Sequence, residues 1–120
     1  MRIASIVAAV CLLGSATLPA QPEQKHILVS PKSNISTAQI AEGFAKYCPN
    51  VVLTQSDAKA DYILEAAETV TAEKGTTYNA WHFTLMNRDG DVLMATHPES
   101  HLFSNRFKHH FESVCKFMNK

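Results

Sequence analysis

The sequence predicts a two-layer α/β domain: a mixed sheet of about five strands in the order β-α-β-β-β-β-α, with both helices on one face. Three observations carry this reading. A short strand, an amphipathic helix and a second strand follow one another within about thirty residues, the span of a right-handed βαβ unit with parallel strands. Three further strand-like runs between residues 61 and 96 form a meander, one of them alternating apolar and polar side chains. An aromatic-rich amphipathic helix closes the chain. Short elements with one apolar face per strand need a single helical layer as cover.

The first twenty residues stand apart. Met1-Arg2 is a short positive start, residues 3–13 are an apolar run, and Gly14-Ser15-Ala16-Thr17-Leu18-Pro19-Ala20 is rich in small residues. These are the three regions of an export signal, so residues 1–20 are expected to be cleaved and residues 21–120 to form one α/β domain. Cleavage after Ala16 satisfies the small-x-small rule; cleavage after Ala20 places Leu18 three positions before the cut. The apolar run is too short to span a bilayer, which takes about 20 residues. Val10, before Cys11, is too large for a lipoprotein cleavage site. The expected location is therefore the periplasm or the extracellular space, with no membrane span once the signal is removed.

His26-Ile27-Leu28-Val29-Ser30 reads as a buried strand ended by Pro31. Ser36 and Gln39 have capping-box spacing, and Ile35 and Ile40 are placed as the hydrophobic staple around them. Ile40, Ala41, Phe44, Tyr47 and Cys48 then share one arc of the helix, which Pro49 stops. Val51-Val52-Leu53-Thr54 is the second strand. Residues 61–67, 78–86 and 92–96 are the meander; in the middle one Trp81, Phe83 and Leu85 alternate with Ala80, His82, Thr84 and Met86. Asn87-Arg88-Asp89-Gly90-Asp91 is a turn in which Gly90 supplies a positive φ. Residues 71–77 read as a longer, less defined loop. The last helix is expected to start near Thr96 or Ser100, burying Phe103, Phe107, His110, Phe111, Val114, Phe117 and Met118. A third strand parallel to the first gives the sheet order 2-1-3-4-5, with the two helices side by side and running the same way. The expected core is Phe44, Trp81, Phe83, Leu85, Phe107, Phe111 and Val114.

The run Tyr47-Cys48-Pro49 through Ala60-Asp61-Tyr62, followed by the Asp89-Gly90-Asp91 turn and a C-terminal helix bearing Cys115, resembles a signature of small exported bacterial proteins of unassigned function. The final helix departs from it, reading Phe111-Glu112-Ser113-Val114-Cys115 where that signature is richer in alanine. In element order alone the chain is similar to the N-terminal module of the translocation protein TolB and to modules of curli-secretion and penicillin-binding-protein-activator lipoproteins. This likeness implies a module that binds a partner and catalyses nothing.

Composition narrows the function classes. Eleven basic and eleven acidic side chains balance, and losing Arg2 with the signal leaves a slight acidic excess. Nothing there drives binding to a phosphate backbone, so nucleic acid is not an expected partner. Two cysteines remain in the exported chain, Cys48 and Cys115. Both end helices that are expected to run side by side, which allows a disulfide; two buried thiols or a redox pair are the alternatives. No Cys-x-x-Cys is present.

Four of the six histidines, His97, His101, His109 and His110, fall close together. His97 and His101 have metal-ligand spacing, with His109 two turns beyond His101, but no His-Glu-x-x-His pattern accompanies them. His110 lies within the apolar arc and reads as a hydrogen-bonded core residue. Asp57, Asp61, Asp89 and Asp91 are turn or strand-end residues. Asn34-Ile35-Ser36 is a glycosylation sequon, in which Asn34 reads as helping the turn into the helix. No nucleophile elbow, phosphate loop or dinucleotide fingerprint occurs, and no cofactor is expected.

The expectation is a small non-catalytic module for an unknown protein or envelope component. Its binding surface is the helix-free sheet face carrying Glu65, His82, Thr84 and Met86. The rival readings are a metal-dependent hydrolase using the His97–His110 cluster and a secreted inhibitor or effector.

Overall fold

The computed structural model describes residues 23–97 and 107–120. The export signal expected at residues 1–20, Phe103, and the helix start expected around residues 98–100 lie outside that range. The described elements are β1 (Lys25–Val29), α1 (Thr37–Tyr47), β2 (Val51–Leu53), a 3-10 turn (Asp57–Lys59), β3 (Tyr62–Glu73), β4 (Thr76–Met86), β5 (Val92–Ala95) and α2 (Phe107–Met118). The strands form one sheet in the order β2-β1-β3-β4-β5, parallel across β2-β1-β3 and antiparallel from β3 to β5. Fold class, element order and strand order agree with the sequence reading. No helix among the described residues is long and apolar enough to cross a membrane.

Local chemistry explains the first unit. The Gln39 N–H donates to Ser36 Oγ at 3.2 Å, which caps α1, while the Ser36 hydroxyl donates to Gln39 Oε1 at 3.0 Å. Ile35 and Ile40 are both buried, as a staple requires. At the far end the Cys48 N–H donates to Phe44 O and the Val51 N–H to Cys48 O, so the Cys48-Pro49 step ends the helix and turns into β2. The Ala60-Asp61-Tyr62 step also has a physical role. Ala60 is buried, and the Asp61 carboxylate accepts from the His26 N–H at 2.8 Å while the Asp61 N–H donates to His26 O.

Alternation decides which side chains meet the helices. Ile27, Leu64, Ala66, Trp81, Phe83 and Leu85 face them and are buried with Phe44, Phe111, Val114 and Met118. Phe111 is the hub: the rings of Phe44 and Phe83 meet it edge-on at 5.0 and 5.1 Å, and Tyr47 stacks on it at 6.1 Å. Gly43 makes this possible, because a Cβ there would lie 2.1 Å from the Phe111 ring.

Two expectations need correction. Residues 71–77 are not a loop: β3 and β4 pair continuously from Ile63↔Met86 to Glu73↔Thr76. Lys74 and Gly75, with φ of 52° and 79°, make a two-residue turn of the kind tight hairpins favour. The Thr-rich flanks are good strand formers, yet their lack of an apolar alternation hid them. Phe107 belongs to the apolar arc but is 39 % exposed; it stacks on Trp81, centroids 3.9 Å apart, at the margin of the core. Thr96, at the expected helix start, also has a role in the sheet. Its N–H donates to Phe83 O and its Oγ1 accepts from the Phe83 N–H, both at 2.8 Å, which extends the β4–β5 pairing by one residue.

Candidate partner-binding face

The sheet has a second face, and both described helices pack on the other one. Register fixes its membership, since paired residues share a face. Leu28 pairs with Ile63, Ile63 with Met86, and Met86 with Val92, giving an apolar row across four strands. The β4–β5 register shifts at Leu85/Met86, where one residue of β5 is skipped. Leu28, Ile63 and Met86 are half-buried and Val92 is 63 % exposed. Beside this row Glu65 pairs with Thr84, and Ala67 with His82. The four residues expected from sequence, Glu65, His82, Thr84 and Met86, are therefore neighbours on one surface, and each is half-buried. Sequence reasoning missed Leu28 and Ile63. The signal was available, because each is flanked on both sides by residues of the opposite face.

His82 carries the one unexplained polar atom among the described residues. Its Nδ1 is shielded from solvent and has no hydrogen-bond partner. A buried group left in this state costs about 1–3 kcal/mol.

Three members of the histidine cluster are described, and two of them, His109 and His110, have ring centroids 5.9 Å apart. His97 is exposed just beyond β5, His109 is exposed on α2, and His101 lies outside the described residues. His110 is buried, with Nδ1 2.7 Å from Thr96 Oγ1, the hydrogen-bonded core histidine that the arc implied. Among the described residues no three His, Cys, Asp or Glu side chains are grouped so as to hold a metal ion.

Cys48 and Cys115 form a disulfide, with Cα atoms 5.8 Å apart. It ties the end of α1 to the last turn of α2. An amide pair covers it: Asn50 Nδ2 donates to Asn119 Oδ1 at 2.8 Å, and Asn119 Nδ2 donates to Asn50 Oδ1 at 3.2 Å. The Asn50 amide also donates to Glu23 O at 3.0 Å, which holds the start of β1 to the same corner.

These features define a two-layer α/β domain with a disulfide-tied helical layer and a partly apolar sheet face that neither described helix covers. Comparison with known proteins finds no matching family model, no matching curated protein and no matching solved structure.

Proposed function

We propose that this chain is an exported, non-catalytic module that binds a protein partner through the helix-free face of its sheet. The observation supporting this most directly is the Leu28–Ile63–Met86–Val92 row, bordered by Glu65, His82 and Thr84. A half-apolar strip with a polar border has the composition of a protein-binding surface. The disulfide is consistent with an oxidising compartment, and the resemblance to small exported bacterial proteins supports the same placement.

The rival hydrolase needs ionisable groups that converge on one point. The rings of His109 and His110 are 5.9 Å apart, but His110 is buried against Thr96, and no three His, Cys, Asp or Glu side chains among the described residues are grouped so as to hold a metal ion.

Photo-crosslinkers placed at Thr84 and Ala67, with Glu42 on α1 as the helical-side control, test the reading in the exported protein. Adducts to one protein from Thr84 and Ala67 but not from Glu42, lost on Met86→Glu, are expected. Adducts from Glu42 alone would reject the face. Tight one-to-one zinc binding, abolished by His101→Ala with His109→Ala, would favour the hydrolase instead.

A further inference from the structure

The two sulfurs of the Cys48–Cys115 bridge are in different surroundings. Cys48 is 1 % exposed, whereas Cys115 is partly exposed. Cys115 also lines a surface hollow of about 510 Å³ with Tyr47, His109, Glu112, Lys116 and Asn119. Thiol–disulfide exchange requires a thiolate to reach one sulfur, and access decides which one. Only the Cys115 side is open.

Polar groups beside the bridge suit sulfurs that are not bonded to each other. Asn119 Nδ2 lies 3.4 Å from Cys115 Sγ and 3.7 Å from Cys48 Sγ. Its second N–H, beyond the one given to Asn50, is free to donate to a thiolate. Asn50 Oδ1 lies 3.3 Å from Cys48 Sγ. In the bridge that sulfur carries no proton, so the carbonyl gains nothing from it; once the sulfurs have moved apart, a Cys48 thiol has this carbonyl beside it as an acceptor. A donor and an acceptor thus lie beside the sulfurs for the reduced pair to use.

The helices do not depend on the bridge alone. Phe44 and Tyr47 of α1 pack on Phe111 of α2, and the Asn50–Asn119 pair joins the same ends. The helical layer is therefore expected to stay assembled when the bridge opens.

We propose that the Cys48–Cys115 bridge is a thiol–disulfide exchange site, opened by a dithiol reductant that attacks Cys115 from the surface hollow. The reductant's thiolate bonds to Cys115 Sγ as the Cys115–Cys48 bond breaks, and Cys48 leaves as a thiolate that takes up a proton. The reductant's second thiol, as thiolate, then attacks its own sulfur in the mixed disulfide and releases Cys115. The net change is two protein thiols formed and one dithiol oxidised to its disulfide.

The test uses the oxidised protein under native conditions. Reduced glutathione serves as a one-thiol trap, with acid quenching and peptide mapping. Dithiothreitol and a Cys-x-x-Cys oxidoreductase are the small and protein dithiols. Glutathione is expected on Cys115 at least about tenfold over Cys48, as access decides. Both dithiols should reduce the bridge without loss of the near-ultraviolet circular dichroism; reduction by dithiothreitol alone would identify a small reductant, and an advantage for the oxidoreductase a protein one. Asn119→Ala should move the equilibrium with dithiothreitol toward the disulfide by about threefold to tenfold, the worth of one hydrogen bond. Glutathione on Cys48, or reduction only at the rate of global unfolding, would overturn the proposal.

Discussion

The Asn34 side chain pairs with the backbone of Glu68 as a strand residue would. Its Oδ1 accepts from the Glu68 N–H at 2.6 Å and its Nδ2 donates to Glu68 O at 3.0 Å. One pair earlier, the Ala66 N–H donates to Ser33 Oγ and the Asn34 N–H to Ala66 O. β1 pairs with β3 only as far as Leu64, so these two residues carry the edge on for four more positions. Exposed strand edges invite pairing with other chains, and this one is blocked by side chains. Asn34→Ala removes both bonds and should lower stability by about 1–3 kcal/mol, read from urea unfolding. An unchanged midpoint would show that the pairing contributes nothing. The same bonds occupy the sequon's amide.

Gly43→Ala separates helix propensity from packing. Alanine should stabilise the middle of α1 by about 1 kcal/mol, but its Cβ would meet the Phe111 ring at 2.1 Å. That ring is hemmed in by Phe44, Phe83 and Trp81 and has nowhere to go. A net loss of about 1–3 kcal/mol is expected from overpacking. Phe111→Leu should cost less in the Gly43→Ala background than alone, and strict additivity in that cycle would refute the contact.

Thr96 joins the sheet to the last helix through a single oxygen, which accepts from the Phe83 N–H and lies 2.7 Å from His110 Nδ1. Thr96→Val keeps the shape and strands a buried N–H, so a loss of about 1–3 kcal/mol in thermal or urea unfolding is expected. Thr96→Ser retains the oxygen and should recover most of it.

His82→Leu tests whether the unsatisfied ring nitrogen is kept for binding. Removing it should raise stability by about 1 kcal/mol or more, while weakening crosslinking from Thr84. A variant both more stable and less able to bind marks a position held for function. Lower stability with unchanged crosslinking would assign His82 to the fold instead.

Much of the architecture was legible because it is written in short-range patterns. The Ser36–Gln39 cap, the Ile35–Ile40 staple and the Trp81-Phe83-Leu85 alternation each occupy a few residues, and the order 2-1-3-4-5 follows once the third strand is laid parallel beside the first. The disulfide was legible as one of three alternatives, since two helices running side by side bring their C-terminal cysteines together. What stayed hidden depends on contacts distant in sequence. Nothing near Asn34 announces Glu68, nothing in α1 shows that Gly43 faces Phe111, and nothing near Thr96 shows that it pairs with Phe83. The arms of the β3–β4 hairpin were missed for a different reason. Beyond Glu68 the ribbon leaves the core, and Val70 at 74 % exposure has no apolar neighbour in the alternation to reveal it.

The Cys48–Cys115 bridge also determines how the molecule transmits force. A pull on the two ends runs through β1 and α1 to Cys48, crosses to Cys115 and leaves by the last turn of α2. The chain between them, a sequence separation of 67, carries no tension, which withholds about 230 Å of contour at about 3.4 Å per residue. β1 is the strand that bears the load, and it lies between β2 and β3, so it must be sheared out of the interior of the sheet. The oxidised chain is thus a short tether on an inextensible bead, and reduction turns it into a fully extensible string.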